Sequence, residues 1–148
     1  MPRKGLPLFD TNVLIGYRPQ VALVREYLMA VVVVQELLVG CTPAIQEQLI
    51  SRAEELHERG LLVVPDRKDW VQVGTCLNRL LGAQQVGGER LTREAVNMLV
   101  RDALIARCAV KSDAQLITSN ETDFRRIKTV FRGLKFTTPS SYFGVRPR

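Results

Sequence analysis

The chain has 148 residues, 46% of them apolar and 24% charged, with a formal net charge of +6. That is enough chain for one domain, residues 1–148, with a real core, and the composition excludes a disordered or fibrous protein. No apolar run approaches the roughly 20 residues of a membrane-spanning helix, and the opening "MPRKGLPLFD" carries no secretory h-region.

Taken in chain order, residues 6–9 read as a short buried strand that stops at Asp10. Residues 13–29 read as helical. "AVVVV" (30–34) is a β-branched run that predicts a strand buried on both faces. Thr42 and Pro43 form an N-cap and first-turn pair for a helix with Ile45, Leu49, Ala53 and Leu56 on one stripe, ended by Gly60. "LLVVP" (61–65) predicts a third strand. Residues 67–82 predict a helix with Trp70, Val73, Leu77 and Leu80 on its buried face. Residues 83–91 form a Gly-rich loop. Thr92 caps a long helix running to about Lys111. "AQLIT" (114–118) is a fourth strand, a short helix lies near 121–128, and "LKFTTP" reads as a last edge strand stopped by Pro139. Strands alternating with helices predict an α/β fold, a parallel sheet with helices on both faces.

Cys41, Cys76 and Cys108 are odd in number, far apart and without a CxxC pair, which reads as reduced thiols of a cytoplasmic protein. The positive charge is uneven. Residues 124–148 hold seven basic residues and no acid, so the rest of the chain is close to neutral. A basic tail on a neutral body fits a polyanionic partner, and equally a solubility role.

Sites in open parallel sheets form beyond the carboxyl ends of strands. Asp10 follows the first strand, Glu36 the second, and Asn120 and Asp123 the fourth, so separate segments deliver oxygen ligands to one edge. Each has a local alternative. Asp10, Thr11 or Asn12 would cap the next helix, Glu36 would favour a first turn, and Asn120 with Asp123 is spaced like a capping box. Asp66 also follows a strand and is given no role. Asp102 is harder to explain locally. With Arg101 at zero on a helical wheel, Arg107, Lys111 and Asn97 lie at about 240°, 280° and 320°, and Asp102 lies nearly opposite, at about 100°. A carboxylate facing an apolar interior needs a partner or a metal; the alternative is a buried ion pair with an arginine such as Arg25. Four acids in one cleft would repel and raise one another's pKa values. A hard divalent cation removes that conflict, and oxygen-only ligands favour Mg²⁺ or Mn²⁺ over zinc. The lone His57 sits on a polar helix end.

"LFDTNVLI", "VVVVQELLVG", "RDALIARCAVKSDAQLITSNETDF" and "FTTPSSYF" together resemble the PIN-domain ribonucleases, most closely the VapC-type toxins of toxin–antitoxin pairs. The resemblance implies a three-layer α/β/α sandwich around a parallel sheet, a Mg²⁺- or Mn²⁺-dependent ribonuclease, a homodimer, an RNA substrate and an antitoxin partner. Carried over by motif, Asp10, Glu36, Asp102 and Asp123 match the acidic site. Thr11 and Thr118 match polar positions beside the first and last acids, with Asn12 a further supporting polar residue. Asn120 matches a position that is often Asp. Asp10 and Asp102 would be the central ligands, Glu36 a ligand or proton acceptor, and Asp123 with Asn120 the holders of a second metal or its waters. Arg125, Arg126 and Lys128 of the tail would guide RNA phosphates. Where the family has Gly before the fourth strand, this chain has Asp113. The other readings are a non-catalytic RNA- or protein-binding module on the same fold, and a housekeeping or DNA-directed nuclease.

Overall fold

The computed structural model describes residues 5–82 and 91–145; the Gly-rich segment predicted as a loop at 83–91 lies, save for Leu91, outside them, as do Arg146 and Arg148 of the basic tail. Among the described residues, five short strands, β1 (Pro7–Phe9), β2 (Met29–Ala30), β3 (Leu62–Val63), β4 (Gln115–Ile117) and β5 (Lys135–Thr137), all pair in parallel. β4 lies between β1 and β5, and β2 pairs with β3. A parallel bridge between Leu8 and Leu28, with the Leu28 N–H donating to the Pro7 carbonyl at 2.8 Å, joins the two groups. The strand sequence is therefore 3-2-1-4-5, and the chain reverses direction of growth at β1.

The pleat explains the layers. Successive residues of a strand face opposite sides of the sheet. Leu8 and Leu116, paired in register, face the main core. Phe9 and Ile117 face a smaller one. The smaller core is covered by α1 (Thr11–Gly16) and α2 (Arg18–Ala22), through Val13 and Val21, and by α9 (Pro139–Phe143), whose Phe143 ring stacks on Phe9 and Tyr17. The main core takes side chains from α3 (Val31–Val39), α4 (Pro43–Glu58), α5 (Arg67–Gly82), α7 (Val100–Lys111) and α8 (Glu121–Lys128). The result is the predicted α/β/α sandwich.

Several local expectations hold. Thr42 and Pro43 open α4, and Gly60, at φ +71°, sits just beyond its end. Asp113, at the place of the missing Gly, has φ +49°, a left-handed conformation that Asp tolerates better than most residues.

Four expectations need correction. The "AVVVV" run is helix: only Met29–Ala30 is strand, and α3 begins at Val31. A short apolar run does not distinguish buried strand from buried helix by periodicity, and burial of Val32, Val33 and Val34 overrides their β propensity. The helix predicted over 13–29 is confined to α1 and α2. The long helix from Thr92 is broken at Met98 and Leu99 into α6 (Arg93–Asn97) and α7, so Asn97 does not share the face of Arg107 and Lys111. In α5 the buried stripe is Asp69, Val73, Cys76 and Leu80, while Trp70 is 55% exposed. An acid holds the core position because Arg107 Nε and Lys111 Nζ of α7 reach it at 2.9 and 2.5 Å. Asp66 and Asp69 also cap each other's backbone N–H groups at the start of α5.

Candidate active site

Asp10 begins where β1 ends, and its N–H still donates to the Ile117 carbonyl in strand fashion. Its side chain caps α1, with Oδ1 accepting from the Thr11 N–H at 2.8 Å. Oδ2 accepts from the Thr118 hydroxyl at 2.7 Å and from Asn12 Nδ2 at 3.2 Å. The capping explanation is thus true of Asp10, and the same carboxylate also takes the Thr118 hydroxyl and the Asn12 amide. Burial raises its pKa, against these donors. Asn12 spans the same gap from the other side, since its Oδ1 accepts from the Ser119 N–H at 3.2 Å.

Thr118, fully buried at the end of β4, passes the connection onward: its oxygen accepts the Asn120 N–H at 3.0 Å. Asn120 caps α8, its Oδ1 facing the Asp123 N–H. Its Nδ2 donates to Asp123 Oδ2 at 2.9 Å and to Asp102 Oδ2 at 3.3 Å. Asp102 comes from the first turn of α7, half-buried. The ion pair with an arginine is not formed among the described residues; Asp102's partner is the Asn120 amide. Its pKa is pushed up to about 7, first by burial and then by the charges of Asp10, Asp123 and Glu36. That ordering places all four acids in one electrostatic neighbourhood.

Glu36 reaches this neighbourhood from the second turn of α3, not from a strand end. Its pKa is raised by burial and then by Asp10, with Thr11 and Arg101 acting weakly in the other direction. Glu36 Oε1 and Thr11 Oγ1 are buried and make no hydrogen bond of normal geometry. Arg101, exposed beside Asp102 in sequence, was not singled out by the sequence reading; the only available signal was its adjacency to that acid.

Among the described residues, no three His, Cys, Asp or Glu side chains stand close enough to form a ready-made metal cage. The donor types, carboxylate oxygens only and mutually repulsive, are those a hard divalent cation takes.

The tail residues differ among themselves. Arg125 is 72% exposed and only loosely paired with Glu121, at 3.9 Å. Arg126 Nη1 lies 3.4 Å from Asp123 Oδ1, and Lys128 Nζ donates to the Leu134 carbonyl.

No family model and no curated protein sequence matches the chain. Solved structures do. A chain of VapBC-1 from nontypeable Haemophilus influenzae is 23% identical, with a TM-score of 0.56, covering 90% of this chain and 97% of that one. A chain of VapBC from Salmonella typhimurium, in complex with DNA, is 19% identical, with a TM-score of 0.58, covering 90% and 98%. A chain of VapBC2 from Rickettsia felis, bound to a promoter DNA fragment, is 20% identical, with a TM-score of 0.56 and the same coverage. At these identities the likeness is one of fold. It defines a fold, a three-layer α/β/α sandwich around a parallel sheet, shared with these chains.

Proposed function

We propose that this chain is a divalent-metal-dependent endoribonuclease and the toxin of a toxin–antitoxin pair. The observation that supports the reading is the half-buried Asp102 carboxylate, which feels the charges of Asp10, Asp123 and Glu36. Such a cluster is costly for the fold unless a cation offsets it. The Asp102 pKa, pushed up to about 7 by burial and then by the other three acids, reflects that cost.

Asp10, Glu36 and Asp102, with Asp123 alongside, would hold Mg²⁺ or Mn²⁺. When bound, the ion would supply a polarised water and charge stabilisation at the scissile phosphate. The chain's own residues do the rest. Thr118 and Asn12 hold the Asp10 carboxylate in one orientation. Where Glu36 is not itself a ligand, it would accept a proton from the attacking water, a role that its raised pKa suits. Arg125 offers an exposed positive charge to RNA phosphates near an otherwise repulsive cleft.

The antitoxin part of the reading is supported by the VapBC assemblies that share the fold, and by an apolar cleft of about 600 Å³ beside Glu36, lined by Leu14, Ile15, Leu37, Ile45 and Leu49. A homodimer belongs to the same reading and rests on the resemblance alone. Among the described residues no helix is long and apolar enough to cross a membrane.

The test is incubation of the purified chain with RNA and with DNA, in Mg²⁺, Mn²⁺ or EDTA. RNA cleavage that needs the ion and is lost in Asp10→Asn supports the reading. Cleavage of DNA alone would make it a DNA-directed nuclease. RNA binding without cleavage in any metal would make it a binding module.

A further inference from the structure

Trp70 is the chain's one tryptophan, and the core does not use it. It stands outside the buried stripe of α5, 55% exposed. Among the described residues no ring stacks on it, no cation covers it, and its indole N–H meets no acceptor. It lines a cleft of about 590 Å³ where the N-terminal halves of α3, α5 and α7 meet, beyond the carboxyl end of β3. That volume is in the range of small-molecule sites. Val64 and Pro65 are among its apolar walls, Gln35 and Arg101 are its polar groups, and no acid lines it. Gln35 and Arg101 are exposed and make no hydrogen bond or ion pair among the described residues. Arg67, three residues before Trp70 and so on the same side of α5, is exposed and unpaired as well. The cleft adjoins the acids without containing them. Gln35 directly precedes Glu36 on α3, Arg101 directly precedes Asp102 on α7, and Arg101 is close enough to act on the Glu36 carboxylate.

We infer that this cleft takes one unpaired base of a single-stranded RNA, stacked on the Trp70 indole, with the Gln35 amide at the base edge and Arg101 at the phosphate beside it. The inference rests on the ribonuclease reading above and places a nucleotide of that substrate next to the acids. An aromatic face with cations beside it is how single strands are held: the ring takes a base, and the cations take the backbone. The charge of the cleft fits this occupant, because Arg101 and Arg67 are unanswered cations and phosphate is the anion that RNA brings. A duplex does not fit, since its bases are covered by their neighbours and have no free face to offer. A second copy of the chain fits less well. If this face paired two-fold with itself, Arg101 and Arg67 would meet the same cations again, and no acid of the cleft would answer them. Stacking accepts any base, so the choice among bases falls to Gln35, whose amide offers both a donor and an acceptor.

Because Trp70 is the only tryptophan, its fluorescence reports on the cleft directly. The full chain, in Ca²⁺ to prevent turnover, is titrated with an end-labelled single-stranded oligoribonucleotide, with the same strand carrying abasic sites, and with the duplex. Anisotropy of the label reads binding, and tryptophan emission reads stacking. The single strand is expected to quench Trp70 as it binds. The abasic strand and the duplex should bind with little quenching. Trp70→Ala should raise the single strand's Kd about 5- to 150-fold, Trp70→Phe should recover part of that, and Arg101→Gln should weaken binding of the intact and abasic strands alike. Unchanged emission in wild type saturated with the single strand would overturn the inference and leave the ribonuclease reading standing; this measurement needs no variant to fold. Equal quenching by the abasic strand would also overturn it, since no base would then be needed. Emission that follows protein concentration and a dimer's mass, but not RNA, would give this face to a second copy instead. No binding of any of the three RNAs would remove the RNA reading and the inference with it.

Discussion

The Thr118 hydroxyl donates to Asp10 Oδ2 across 2.7 Å, tying together the ends of two adjacent parallel strands 108 residues apart in sequence. Both groups are buried. Removing the donor leaves a buried carboxylate short of one hydrogen bond, which costs about 1–3 kcal/mol. Thr118→Val is therefore expected to lower stability in urea by an amount in that range, and to reduce RNA cleavage because Asp10 loses its orientation. Thr118→Ser keeps the hydroxyl and should retain most of both. Equal stability of Thr118→Val and wild type would show that the bond contributes nothing.

Asp102 links the cluster to pH. Its pKa in the folded chain is about 7, against an ordinary 3.8. The folded state thus binds this proton more tightly than the unfolded state. Its stability without metal should fall as pH rises from about 4 to about 7, and level off above that. Asp102→Asn removes the effect. In EDTA, the melting temperature of Asp102→Asn relative to wild type should climb between pH 5 and pH 8. Metal must displace the same proton, so Mn²⁺ affinity should weaken below pH 7. A gap that does not change with pH would mean that Asp102 is not the titrating group.

Asp69 carries the opposite sign. Burial raises its pKa, but hydrogen bonds from Lys111, from the Asp66 backbone and from Arg107 outweigh this and bring it down to about 2. The stability it contributes is fully present above its ordinary 3.8 and is lost as pH falls toward 2. Asp69→Ala leaves two half-buried cations facing a gap between α5 and α7, which should cost about 3 kcal/mol, the low end for a broken buried pair because both cations keep some contact with water. Urea titrations of wild type and Asp69→Ala at pH 7 and pH 3 check this: the difference should shrink at the lower pH.

The three basic residues assigned to RNA should separate. Arg125 is mostly exposed and weakly paired, so Arg125→Gln should reduce the slope of log K against log salt by roughly 0.7 for single-stranded RNA. Lys128 donates to the Leu134 carbonyl at the approach to β5, so Lys128→Gln should act mainly on stability. RNA affinity measured across a salt series, with Ca²⁺ to prevent turnover, decides between them. An unchanged slope in Arg125→Gln would remove it from the RNA path.

The alternation of strands with helices and the parallel sheet were legible in the sequence. Strand and helix periods differ, and Asp10 falls directly after an apolar run, where it caps the next helix. The wheel argument placed Asp102 off the exposed side, and it is half-buried, but its reference face failed: Asn97 lies on a separate helix, and Arg107 and Lys111 pair with Asp69. Three features were decided only by tertiary contact. The Val run became helix because burial, not propensity, sets the outcome for a short apolar segment. Arg107 and Lys111, read as a solvated face, turn onto Asp69 because α5 brings a buried carboxylate to them, a partner 38 and 42 residues away that no local pattern announces. And the position of Asn120 between Asp102 and Asp123 depends on the distance from α7 to the start of α8. Sequence spacing sets the faces of one element, but the gap between two elements is set by how their side chains pack.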